Sequence, residues 1–142
     1  MFSPEDLLFI APERTPLEFA TGQFARRILV ILPDEPEEPG RDDFLRKVFA
    51  AAQINLGQDA LLAAVPTDTP MSILPALREK QPAQVLVFGL SPKTLGLTLN
   101  VPFYQPFAFY GATFLFAEKI SLLEPDKTRK AHLWRALQTL FL

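Results

Sequence analysis

Three short runs of the chain are apolar at every position: 28–32, 60–65 and 85–88. A fourth, 113–117, is apolar after its opening threonine. Runs of this length without polar alternation mark strands buried on both faces. The segments between them follow helical spacing instead. Residues 42–53 place Phe44, Leu45, Val48, Phe49 and Ala52 on one face, and 69–80 do the same with Ile73, Leu74 and Leu77. The last such segment, 126–141, lines up Leu133, Trp134, Leu137, Leu140 and Phe141. Asp42 or Asp43 can cap the first helix, and Thr69-Pro70 opens the second, which Pro75 bends or shortens. Ser91-Pro92 starts a short helix running to about Leu95.

Strands alternating with helices predict a three-layer α/β/α domain with a central, mostly parallel, four-stranded sheet in the order 2-1-3-4. The regular part begins near residue 26, so 26–142 reads as one domain and 1–25 as an N-terminal lead-in or arm. That lead-in holds a helix-start signal at Ser3-Pro4 and two apolar patches, 7–10 and 17–19. Residues 101–111 read as an aromatic loop or an extra hairpin.

Composition narrows the chemistry. Among 142 residues, 49% are apolar and 21% charged, the balance of a globular domain rather than a disordered chain. With no cysteine and one histidine, disulfides, thiol nucleophiles and iron–sulfur clusters are excluded, and neither a metal nor a cofactor is expected. The longest uncharged stretch, 94–117, is broken by two prolines and two glycines and makes a poor membrane span. Glu5 and Asp6 stand where a signal peptide would be basic, so a cytoplasmic protein with no membrane partner is expected. Ser91 and Ser121 have no histidine near them in sequence, and Gly89 with Gly96 is too sparse for a phosphate loop.

Net charge is −2, but its distribution is uneven. Residues 34–43 hold Asp34, Glu35, Glu37, Glu38, Asp42 and Asp43 against Arg41 alone, a stretch that repels a phosphate backbone. Residues 119–142 carry Lys119, Lys127, Arg129, Lys130 and Arg135 against Glu124 and Asp126. Here Lys119, Lys127 and Lys130 are candidate nucleic-acid or partner contacts, although a solvated helix face is the commoner meaning of such a run. The aromatic group Phe103, Tyr104 and Phe107 reads either as a partner-binding or base-stacking patch or as a small core over the sheet edge.

Several stretches together resemble the uracil-DNA glycosylase superfamily. Residues 85–95 look like the strand and short helix that precede its DNA-contacting motif, and 113–127 resemble the next strand and the motif itself. Family members read there as His-Pro-Ser, a variable residue, two leucines, then proline and a basic residue. The helix containing Leu133-Trp134 matches their final helix, and 28–52 resemble their first strand, loop and helix. The resemblance implies an active-site cleft at the strand ends, but the chemical positions depart from the pattern. With Leu122-Leu123 on the motif's leucines, Glu118 falls on the catalytic histidine, Lys119 on the proline and Ile120 on the serine. An ionised glutamate opposes the negative charge that a departing base develops, where a histidine would donate to it. The water-positioning loop corresponds to 33–40, where Asp34 and Glu35 supply acid but the close-approach glycines are missing.

The chain also resembles the psi-subunit family of bacterial DNA polymerase III, clamp-loader accessories near 140 residues long that share this fold without activity. Psi proteins carry an alanine–leucine–tryptophan pattern near the start of the last helix, and the matching stretch here is Arg129-Lys130-Ala131-His132-Leu133-Trp134, with His132 where the alanine would stand. Psi proteins bind their partner through an N-terminal extension, a role that 1–25 could fill. The expectation is therefore a non-enzymatic, protein-binding domain of glycosylase-like fold in a replication or repair complex, with no catalytic residue and Asp34, Glu35 and Glu118 as degenerate positions. The alternatives are a divergent glycosylase-like enzyme using those three acids, or a DNA-binding module without chemistry.

Overall fold

A computed structural model of the chain describes residues 14–35, 40–67, 69 and 71–142. Its frame is a six-stranded mixed sheet in the order β1-β3-β2-β4-β6-β5. The four inner strands are β2 (Ile28–Pro33), β3 (Ala60–Val65), β4 (Gln84–Phe88) and β6 (Ala112–Ala117), all parallel to one another. They coincide with the four apolar runs and stand in the order expected for them. All six residues of β2, at the sheet's centre, are buried. Successive side chains of a strand face opposite ways, so Ile28, Val30 and Leu32 enter one core and Leu29 and Ile31 the other.

The expectation of four strands is corrected by two short antiparallel additions at the edges. β1 (Ala20–Gly22) pairs with β3, and β5 (Phe107–Phe109) pairs with β6. Each has three residues, too few to show a burial pattern in sequence. β5 and β6 are joined through Tyr110 and Gly111, both at positive φ (52° and 79°), the backbone a two-residue hairpin needs. Residues 101–111 thus include the hairpin. Of the expected lead-in, residues 14–25 run along the sheet: a 3₁₀ turn (Pro16–Phe19) packs Leu17 and Phe19 on the second core and leads into β1. Ser3-Pro4 and the 7–10 patch lie outside the described residues.

Helices cover both faces. On the first lie α1 (Arg41–Ala51), α2 (Leu56–Asp59), α4 (Ile120–Leu123) and α5 (Lys127–Phe141), burying Phe44, Leu45, Phe49, Leu133 and Leu137 against β2, β4 and β6. On the second lie α3 (Leu74–Lys80) and a 3₁₀ turn (Pro92–Leu95), which bury Ile73, Leu77 and Leu95. Two helix starts differ from expectation. Gly40, not Asp42 or Asp43, stands at the N-cap of α1 with φ 86°, leaving both aspartates in the first turn, where they favour the helix dipole. α3 begins at Leu74 rather than near residue 69, so Pro75 falls in its first turn. There the missing N–H has no intrahelical acceptor to lose, and the proline starts the helix instead of bending it. No described helix is long and apolar enough to cross a membrane.

Candidate functional site: the cleft at the strand ends

In a sheet wound this way, the chain leaves β2 toward β3 on one side and returns to β4 on the other. The crevice outside the carboxyl ends of β2 and β4 is therefore where α/β folds place ligands. Here it receives residues 34–35 after β2, Gly89 after β4 and residues 118–119 after β6. Gly89, with φ 70°, donates its N–H to the Ala117 carbonyl at 2.9 Å. A Cβ at this position would lie 3.2 Å from the Lys119 Cα, so glycine lets the two loops close on each other. Lys119 passes over Gly89, and its Nζ meets Glu35 Oε2 at 2.9 Å. Two candidates far apart in sequence are thus joined across the end of β4. Asp34 is exposed and uses its backbone N–H on the Val65 carbonyl at 2.8 Å.

Glu118 is held on both oxygens. The Tyr104 hydroxyl donates to Oε1 at 2.9 Å, and Arg129 Nε donates to Oε2 at 2.9 Å. Arg129 Nη1 also bonds Asp126 Oδ2 at 2.6 Å, while Asp126 Oδ1 accepts the Arg129 backbone N–H at 3.1 Å as the N-cap of α5. The chain Tyr104–Glu118–Arg129–Asp126 therefore fastens the aromatic loop and the end of β6 to the first turn of α5. Tyr104 has φ 64° and donates its own amide to the Phe116 carbonyl at 2.9 Å, which aims the ring at Glu118. Burial first, then the bond to Glu118, pushes its phenol well above the ordinary tyrosine range. The Glu118 hydrogen bond and charge raise the Arg129 guanidinium further above its already high value.

Beside this network opens a cleft of about 420 Å³. Leu90, Val101, Phe103, Phe116 and Leu122 make its apolar part, with Glu118, Lys119 and Ser91 at the rim. Phe103 is 51% exposed and Leu122 47%, high values for such large apolar side chains. Phe107 goes the other way: half-buried in β5, it stacks on Phe114 and Phe116 with centroids 5.5 and 6.1 Å apart. The aromatic segment is divided, with Phe107 in the core and Phe103 at the surface. Lys127 and Lys130 are exposed in the first turn of α5. Arg129 and Leu122 carry more of the site than sequence reasoning assigned to them, and Leu122 could have been found as the outward-facing leucine of the 122–123 pair.

Glu37 and Glu38 lie outside the described residues. Of the remaining acids of the 34–43 stretch, Glu35 is paired with Lys119, Asp42 with Arg41 and Asp43 with Arg46. Among the described residues, no group of histidine, aspartate and glutamate side chains could hold a metal ion. No family model and no curated protein matches this chain.

Proposed function

We propose that this chain is a non-catalytic protein-interaction domain of uracil-DNA glycosylase-like fold, serving a replication or repair complex in the manner of a psi subunit. The observation that carries the reading is the state of Glu118. Its two oxygens are both bonded within the protein, to Tyr104 and Arg129, where a glycosylase would need a donor aimed at its substrate. The adjoining cleft, apolar and edged by half-exposed Phe103 and Leu122, suits an apolar anchor from another protein. The psi-like pattern at 129–134 supplies the kind of complex.

Two assays on the full chain test this. Incubated with uracil-containing single- and double-stranded DNA, the protein should release no base. Release that disappears in Glu118→Gln would overturn the non-catalytic reading. Mixed with the purified clamp-loader assembly of the same organism, it should co-elute on gel filtration; separate elution would remove the psi-like assignment.

A further inference from the structure

The opposite edge of the sheet, where the parallel strands begin, carries a separate pocket of about 520 Å³. Arg27, Arg78, Gln81 and Tyr110 line it, with Leu77 and Pro82 as its apolar part. These residues come from the segments just ahead of β2, β4 and β6 and from the end of α3.

Two independent features mark it. The first is charge: two arginines line the pocket and no carboxylate does. Arg27 donates from Nε to the Gln81 carbonyl at 2.9 Å, and its Nη2 bonds the same oxygen, so the guanidinium is fixed in place with Nη1 to spare. Arg78 is exposed, and its side chain has no hydrogen bond or ion pair among the described residues. A fixed planar guanidinium beside a second one matches the oxygens of a phosphate group. The second is the backbone. Arg27, Gln81 and Tyr110 have φ of 57°, 49° and 52°, so half of the six described non-glycine residues at positive φ line this one pocket. Glycine or asparagine would hold such turns with less strain. Gln81 is the left-handed C-cap of α3 and Tyr110 lies in the β5–β6 hairpin turn, so these turns set the pocket wall and hold the three side chains at its edge. Tyr110 is 54% exposed, which leaves its ring open to stacking.

We propose that this pocket binds a nucleoside phosphate, its base stacked on Tyr110 and its phosphate held by Arg78 and Arg27. The size suits a mononucleotide unit, whether free or at a single-strand end. The site is distinct from the strand-end cleft and stands or falls independently of the interaction role proposed for it.

Amide NMR of the full chain, titrated with dTMP and separately with a short oligothymidylate to millimolar concentration, tests the proposal. The Arg78, Gln81, Tyr110 and Gly111 amides should shift. Arg78→Glu and Tyr110→Asn should each weaken binding about tenfold or more while leaving the spectrum outside the pocket unchanged. Asparagine is chosen because it tolerates the left-handed backbone while replacing the phenol ring with a small amide that cannot stack on a base in the same way. Thymidine and inorganic phosphate, given alone, should each bind about tenfold more weakly than dTMP. Shifts from dTMP identify a free nucleotide as sufficient, and shifts from the oligomer alone identify a strand as the source. The proposal is overturned if neither ligand moves these amides, if the shifts fall on the Phe103–Leu122 cleft instead, or if the two variants bind as tightly as the unmodified chain.

Discussion

The Tyr104 hydroxyl donates to Glu118 Oε1 at 2.9 Å, and the Glu118 amide lies 3.4 Å from the same phenol oxygen. One tyrosine thus engages both the side chain and the backbone of the residue that follows β6. Tyr104→Phe should cost about 1.5 kcal/mol, the low end for a bond to a charged acceptor, because Glu118 keeps Arg129 and some contact with water. Urea unfolding of the two proteins measures this difference.

The same phenol makes a pH signature. Burial and the Glu118 bond raise its pKa above the ordinary 10.0, so the folded chain holds that proton more tightly than the unfolded one. The stability this adds is fully present below about pH 10 and is lost as pH rises beyond it. Lysines titrate nearby, so the informative quantity is the difference between the unmodified chain and Tyr104→Phe. That difference should shrink from about pH 10 upward, and a gap independent of pH would show that the phenol does not sit as described.

Asp126 acts at the other end of the network and titrates in the opposite sense. The Arg129 amide, and the Arg129 charge after it, hold its carboxyl below the ordinary 3.8. Its contribution is present above about pH 4 and is lost as pH falls through that range. Asp126→Asn keeps a capping oxygen and should lower the melting temperature less than Asp126→Ala. Thermal scans at pH 7 should give that order, and the gap between the unmodified chain and Asp126→Asn should narrow in acid.

β1 meets β3 closely at Gly22. A Cβ there would stand 2.2 Å from the Ala60 carbonyl oxygen, and φ is 128°. Gly22→Ala should therefore cost about 2 kcal/mol or more and release β1 from the sheet edge. Hydrogen exchange at residues 20–22 and 61–63 would report the loss, and unchanged protection would contradict the pairing.

How much of this was legible in sequence follows from how each part is buried. The four inner strands stood out because strands covered on both faces are apolar at nearly every position, and Ile28 through Leu32 combine such a run with three β-branched residues. β1 and β5 did not, since Ala-Thr-Gly and Phe-Ala-Phe are too short for any period. α2 was missed for a related reason: its four residues are held by side-chain caps, Asn55 Oδ1 accepting the Gln58 amide at 3.1 Å and Asp59 Oδ2 the Asn55 amide at 2.8 Å, without an apolar stripe. The motif comparison singled out Glu118. It could not supply Tyr104 and Arg129 as its partners, because those contacts depend on the left-handed turn at Tyr104 and on the angle at which α5 leaves residue 126. Lys119 and Glu35 were both candidates, but their bridge needs the close approach at Gly89.

The cleft gives the most direct test of the interaction role. Phe103 and Leu122 are half-exposed, so Phe103→Ser and Leu122→Ser together should leave folding stability within about 1 kcal/mol of the unmodified chain. Isothermal titration of the full chain and of this double variant into the purified clamp-loader assembly is the deciding measurement. The expected result is binding by the unmodified chain and a loss of about tenfold or more in the folded double variant. Equal binding by both proteins, or none by either, would contradict the account.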